Sequence, residues 1–357
     1  MEIRNKRKAD HLELAVKIPD GPLPSGFEDI ILVPDAVPEL AWQDVNLQTS
    51  FLGKSLGYPV LINALTGGTE SAYHINKILA TTARRFDLAM AVGSMTIAME
   101  NPAVLGSFTV AREANPDGII IANCSANMEA GKACRLVDVI AADALQLHLN
   151  VAQELAMEEG DRDFRGILDN VARIVDDCPV PVIAKEVGFG LSRETVWKLY
   201  QAGVRIIDNG GSGGTNFIAI EHQRRGQLDQ QLYEWGIPTA ASLAEIIALK
   251  LPLQIIAAGG IRSALDIAKA IAMGADLVGM TGWFLRRLEP GQDLPGQISS
   301  LLRQLQAVFL MCGAGNCESL KTKPLLILGR TADWLRARGI DPAIWSARND
   351  QKGLAID

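Results

Sequence analysis

Ala144-Leu145-Gln146-Leu147-His148-Leu149-Asn150 alternates leucine with polar side chains, and Val151-Ala152-Gln153-Glu154 follows directly. Successive side chains of a strand point to opposite faces, so the leucines share one face and Gln146, His148 and Asn150 the other. Leucines packed under helices would leave the polar three pointing into a barrel. An unmet hydrogen bond there costs about 1–3 kcal/mol, so the pattern predicts a strand whose polar face meets a ligand. Gln153 and Glu154 then stand at the barrel's mouth. The bland alternative is a rim strand with a solvated polar face.

Seven further apolar runs flank this one, each followed by an amphipathic stretch: Pro59 to Leu65, Ala89 to Ser94, Gly118 to Cys124, Val180 to Val187, Val204 to Asn209, Gln254 to Gly260 and Asp276 to Thr281. Starts recur about every 22 to 36 residues, the step of one βαβ unit, except for about 50 between the sixth and seventh, which predicts an inserted loop. Eight strand-then-helix units specify the α/β class and a (β/α)8, or TIM, barrel; a doubly wound sheet has fewer strands and an early GxGxxG. The whole chain, 1–357, then reads as one barrel domain. Residues 1–55, with Pro19-Asp20-Gly21-Pro22, form an N-terminal extension that caps the barrel or reaches over its mouth. Residues 290–357 read as C-terminal helices.

At 357 residues and 48% apolar, the chain is globular. A net charge of −7 with scattered cations argues against nucleic acid, so an anionic ligand must be held locally. The one basic cluster, Arg4, Lys6, Arg7 and Lys8, has no apolar run behind it and is no signal peptide. No run approaches the ~18 residues that span a bilayer. Five cysteines without CxxC spacing suggest neither disulfides nor zinc, and a reducing, cytoplasmic setting is expected.

In a barrel the chemistry sits at the C-terminal ends of the strands. There Lys185 lies among apolar residues, where an ammonium needs an anion or polar ligand; neighbouring Glu186 points to the opposite face. Asp208-Asn209-Gly210-Gly211-Ser212-Gly213-Gly214-Thr215 offers backbone that can approach a ligand closely. Gly259-Gly260-Ile261-Arg262, with Ser263 capping a helix from about Ala264, and Gly279-Met280-Thr281-Gly282 close strands seven and eight, where barrels bind phosphate. Thr66-Gly67-Gly68 adds a further close-approach turn. The loops after strands six, seven and eight together predict a phosphorylated ligand.

These segments carry a family resemblance. Arg7-Lys8-Ala9-Asp10-His11, Leu65-Thr66-Gly67-Gly68, Gly93-Ser94, Ala122-Asn123, His148-Leu149-Asn150-Val151-Ala152-Gln153-Glu154, Lys185-Glu186-Val187-Gly188, Gly213-Gly214-Thr215-Asn216-Phe217, Gly259-Gly260 and Gly279-Met280 occur in the order found in type 2 isopentenyl-diphosphate isomerases, which the chain resembles over nearly its whole length. The resemblance implies conversion of isopentenyl diphosphate to dimethylallyl diphosphate, with reduced FMN as acid and base, Mg2+ on the diphosphate and NADPH as reductant. It also implies a homo-oligomer, a tetramer or octamer. Position by position, it assigns Leu65, Thr66, Gly67, Ser94, Asn123, Lys185 and Thr215 to the flavin and ribityl parts, and Gly259, Gly260, Met280 and Thr281 to the FMN phosphate. Glu154 would ligate the metal and Gln153 would touch substrate, with His148 and Asn150 lining the pocket beside them. Arg7 and Lys8 would clamp the diphosphate, with His11 nearby. The chain departs from the pattern at Met95-Thr96-Ile97, where some members carry an arginine.

The rival enzyme class is an FMN-dependent 2-hydroxy acid oxidase or dehydrogenase. It requires a general base and cations for a carboxylate, a histidine and an arginine in the loop after strand six. Asp208 to Thr215 contains neither.

Overall fold

The computed structural model describes residues 10–11, 14–18, 20–225, 229–289 and 291–348. Its strands are β1 (Ile30–Leu32), β2 (Thr49–Phe51), β3 (Lys54–Leu56), β4 (Val60–Ile62), β5 (Ala89–Ala91), β6 (Ile120–Ser125), β7 (Ala144–Leu149), β8 (Val182–Glu186), β9 (Ile206–Asp208), β10 (Gln254–Ala258), β11 (Leu277–Met280) and β12 (Leu325–Ile327). Strands β4 to β11 close into a parallel barrel in sequential order, β11 pairing back onto β4. These are the eight runs expected from the sequence.

Alternation decides what each strand gives to which side. On β7, Leu145 and Leu147 point outward into the shell of helices and are fully buried there. Inside, Leu61, Ala89, Ala91, Ile119, Ile121, Ala144, Ile183, Ile206, Ile256 and Leu277 fill the lower barrel. Two residues further along several of these strands, the inward positions become polar: Asn63, Asn123, Gln146, Lys185 and Asp208, all buried. The barrel therefore has an apolar floor and a polar layer under its mouth.

The extension meets the barrel at both ends, with different residues. The β2–β3 hairpin packs Phe51 and Leu56 onto the apolar floor and so closes the bottom of the barrel. Asp20 instead reaches the mouth, where its carboxylate receives Arg262 (2.5 Å) and Arg286 (2.8 Å).

Two expectations are corrected. The interval between β9 and β10 is not a plain loop: it holds the helix Phe217–Arg225, a 3-10 turn Gln230–Glu234 and the helix Thr239–Ala248. Asn216 organises the first of these, its Oδ1 accepting the Ala219 N–H and its Nδ2 donating to the Tyr233 carbonyl. Nor is the C-terminal part wholly helical. Within it β12 pairs antiparallel with β1, Ile30 opposite Ile327, and so ties the extension to the far end of the chain. Trp345, fully buried, donates its indole N–H to the Met273 carbonyl at 3.1 Å, fixing the turn Ala343–Ser346 to the helix after β10. That helix, Ala264–Met273, begins at Ser263 as expected, with Ser263 and Asp266 forming a reciprocal capping box. Among the described residues no helix is long and apolar enough to cross a membrane.

Candidate active site

A cavity of about 750 Å³ opens at the C-terminal ends of the barrel strands. The loop after β4 contributes Leu65, Thr66 and Gly67, the β5 loop Ser94, and β6 Asn123. His148, Asn150, Gln153 and Glu154 line the side formed by β7 and the helix after it, and Lys185 rises from β8. Thr215 and Gly259, Gly260, Met280 and Thr281 line the opposite side, and His11 reaches in from the extension. Each described residue expected at the site is thus at one cavity; Arg7 and Lys8 lie outside the described residues.

The pattern on β7 resolves differently at its three polar positions. Gln146 faces inward but meets no ligand space: its amide is satisfied by Asn123 (2.7 Å), Asn63 (3.2 Å) and Asp208 (3.2 Å). The inference that an inward polar side chain there requires a ligand fails for Gln146, because other strands supply its partners. His148 lies one step nearer the mouth and does line the cavity. Asn150 is no longer on the strand; it opens the helix Val151–Ala156, and its amide donates to Glu154 Oε1 at 2.8 Å.

Glu154 sits in the first turn of that helix, where the backbone N–H groups favour a carboxylate. Its second oxygen accepts the Asp161 N–H at 2.9 Å, and Arg162 stitches the loop down by donating to the Glu154 and Met157 carbonyls. No group of three or more His, Cys, Asp or Glu among the described residues could cage a metal. One oriented carboxylate at the mouth is the kind of oxygen donor that a hard divalent cation takes.

Lys185 is buried and finds its anion on the adjacent strand. Its Nζ is 3.2 Å from Asp208 Oδ1 and donates to the Glu186 carbonyl at 2.8 Å; the register places Lys185 beside Asp208 on β9. The Glu186 side chain points away, as alternation requires, and one of its oxygens accepts the N–H groups of Gly188, Phe189 and Gly190. Burial pushes its carboxyl up from 4.5 to about 7, against those three donors and the nearby Lys185 charge, which favour the ionised form. The folded state thus binds this proton more tightly than the unfolded chain. Its stabilising share is complete below pH 4.5 and lost as pH rises through about 7. Relative to Glu186→Gln, the wild-type protein should lose on the order of 3 kcal/mol between pH 4.5 and 8 in urea unfolding. An offset that stays constant with pH would refute this.

The glycines after β9 and β10 serve the protein before any ligand. Gly259 and Gly260 have φ of +115° and +68°, and a Cβ on them would lie 2.0 Å from the Gly211 carbonyl oxygen and 2.4 Å from that of Gly213. Close approach there is of one loop to another, which leaves their backbone as the cavity wall. Arg262 and Arg286 line the same end, with Asp20 between them. Two guanidiniums against one carboxylate make this a locally positive corner in an acidic chain, suited to a phosphate.

At the extension's edge, His11 Nε2 is 2.6 Å from Glu221 Oε1, and Arg224 pairs with Glu221, Asp10 and Glu159. Burial alone would raise the Glu221 carboxyl, but His11 and Arg224 hold it below its ordinary value. Of the other histidines, His222 bonds the Tyr233 hydroxyl at 3.0 Å and His74 packs edge-on against Tyr73; neither lines the cavity.

A profile of FMN-dependent dehydrogenases matches residues 124–326. The isopentenyl-diphosphate delta-isomerase of Moorella thermoacetica is 50% identical over 94% of this chain and 97% of its own length. The chain belongs to the isopentenyl-diphosphate delta-isomerase family. The isomerase of Symbiobacterium thermophilum is 44% identical over 98% of this chain and 100% of its own. A lactate oxidase of Pediococcus acidilactici superposes with a TM-score of 0.65 over 89% of this chain and 86% of its own, at 19% identity. That likeness is one of fold alone, since unrelated chemistries share barrels. As an isopentenyl-diphosphate delta-isomerase family member, the chain is an enzyme of an FMN-dependent barrel class.

Sequence reading missed Asp208, Asn63, Asp20 and Arg286. Asp208 ends the apolar run Val204-Arg205-Ile206-Ile207 on the same inward face as Ile206, and that position was the available signal. Asn63 carries the same signal two residues beyond Leu61. Asp20 and Arg286 are brought to the cavity by tertiary structure only.

Proposed function

We propose that the cavity binds reduced FMN with isopentenyl diphosphate above it, and that the enzyme interconverts isopentenyl and dimethylallyl diphosphate. The observation that carries this reading is the convergence of His148, Asn150, Gln153 and Glu154 on the mouth, beside a glycine-walled corner with two arginines. The residues fit both groups. Backbone of Gly259, Gly260, Met280 and Thr281 would hold the FMN phosphate, and Leu65, Thr66, Gly67, Ser94, Asn123, Lys185 and Thr215 the flavin and ribityl chain. When bound, reduced flavin supplies the acid and base for moving a proton onto the terminal alkene carbon and off C2, with no net redox change.

The protein's own part is placement and electrostatics. Glu154, held at both oxygens, would bind Mg2+ on the diphosphate, with Gln153 against the substrate. His148 and Asn150 would line the hydrocarbon's path, and His11, with Arg7 and Lys8 of the extension, would neutralise the phosphates. NADPH as reductant, a homotetramer or octamer, and a cytoplasmic setting complete the reading.

The test is an anaerobic assay with purified protein, FMN, Mg2+ and isopentenyl diphosphate, with and without NADPH. Dimethylallyl diphosphate forming only with reduced flavin, and without stoichiometric NADPH consumption, is the expected result. No product despite bound, reducible FMN would overturn it in favour of an oxidoreductase.

A further inference from the structure

Asp208 is completely buried, and its four hydrogen-bond partners among the described residues are all N–H donors. Lys185 Nζ and the Gly210 N–H reach Oδ1, each at 3.2 Å; Asn63 Nδ2 (2.6 Å) and Gln146 Nε2 (3.2 Å) reach Oδ2. The carboxylate is a pure acceptor at the head of a chain of amides, and each amide in that chain has one permitted orientation.

Asn63 Oδ1 accepts its neighbour Ala64's backbone N–H at 2.9 Å, so Asn63 must turn its Nδ2 to Asp208. Gln146 faces two acceptors, Asp208 Oδ2 and Asn63 Oδ1, and must offer both of them its Nε2. Its Oε1 therefore points to Asn123 and accepts from Asn123 Nδ2 at 2.7 Å. Asn123 is left presenting Oδ1 to His148 Nδ1 at 3.0 Å, and a carbonyl oxygen there admits only an N–H.

We propose that Asp208 is a positioning residue that fixes the tautomer of His148 through Gln146 and Asn123, placing the ring proton on Nδ1 and the neutral ring's lone pair on Nε2. The same carboxylate pairs with Lys185, so one buried anion on β9 orients a residue on the adjacent strand β8 and, by relay, one on β7, the strand beyond it. A ring held this way meets a ligand with the same atom and the same hydrogen-bonding character each time, which is how second-layer partners govern histidine chemistry. Its consequence for turnover rests on the reading of His148 as a residue at the substrate.

The experiment is 15N NMR of the FMN-loaded enzyme with labelled histidine, at alkaline pH where the rings are neutral. The chain has four histidines, and His148 is assigned by its loss in His148→Gln. In the wild type, Nδ1 is expected to carry the proton. In Asp208→Asn the new amide must place an N–H either against Asn63 and Gln146 or against Lys185 and the Gly210 N–H. The first reverses Gln146 and Asn123 and moves the His148 proton to Nε2. Gln146→Leu cuts the relay while leaving Lys185 with Asp208, so His148 should show both tautomers even if Asp208→Asn fails to fold. Either change in tautomer supports the proposal, and retention of pure Nδ1–H in the Gln146→Leu enzyme overturns it. The kinetic counterpart is a fall in kcat of ~10- to 100-fold with KM within about twofold. A moved proton with unchanged kcat would leave the relay standing and instead remove His148 from the chemistry.

Discussion

Glu154→Gln should abolish Mg2+ dependence and lower kcat/KM by ~100-fold or more, while the protein keeps its bound FMN. Both Glu154 oxygens accept N–H groups, from Asn150 and from the Asp161 backbone. An amide in this place loses the charge and also turns its NH2 against one of those donors. Mg2+ binds carboxylate oxygen and holds its waters tightly, so a neutral amide is a poor replacement, and the substrate diphosphate then arrives without its counter-ion. Outer-layer changes at metal sites already cost ~10- to 100-fold, and a first ligand costs more. The end of the cavity proposed for FMN is built by other strands, so flavin content should not change. Measurement requires an Mg2+ titration of activity together with the flavin-to-protein ratio. Persistent Mg2+ dependence would refute the ligand role, and lost FMN would refute the separation of the two subsites.

Lys185→Ala should weaken FMN binding ~10- to 100-fold and also lower the stability of the flavin-free protein. A hydrogen bond from a charged donor is worth about 1.5–3 kcal/mol, and each 1.4 kcal/mol is about tenfold in affinity. The second effect comes from Asp208, which keeps Asn63, Gln146 and Gly210 as donors but loses the charge of Lys185 in a fully buried site. Removing one member of a buried pair costs about 3–5 kcal/mol. Flavin fluorescence quenching gives the dissociation constant, and urea unfolding of the apoprotein gives the stability. An unchanged constant removes Lys185 from the flavin site. Unchanged apoprotein stability would mean that the amide donors alone satisfy Asp208.

The barrel was legible because its signal is local and repeated. Each strand is a short apolar run and each is followed by a helix, and alternation on β7 sent Leu145 and Leu147 outward without knowledge of any neighbour. The cavity-lining residues were legible for a related reason: strand ends and glycine turns occupy known places in such a barrel, so His148, Glu154, Lys185, Gly259 and Thr281 could be named from position. The parts that were read wrongly were those whose partners lie far along the chain. On its own strand Gln146 reads as a ligand-binding group, but Asn63, just past the end of β4, and Asp208 of β9 stand against it. The long interval after β9 reads as a loop from its spacing alone, which does not reveal the helix that Asn216 caps within it.

By itself the sequence determined the barrel, the order of its strands and the end at which chemistry occurs, because periodicity and turn chemistry act between residues close in the chain. Only the tertiary structure decided which polar residues answer one another: Lys185 with Asp208, Gln146 with Asn123, Asp20 with Arg262 and Arg286. Buried polar groups must be paired, but which partner each one finds depends on strand register and barrel closure. Those join residues that the sequence keeps apart.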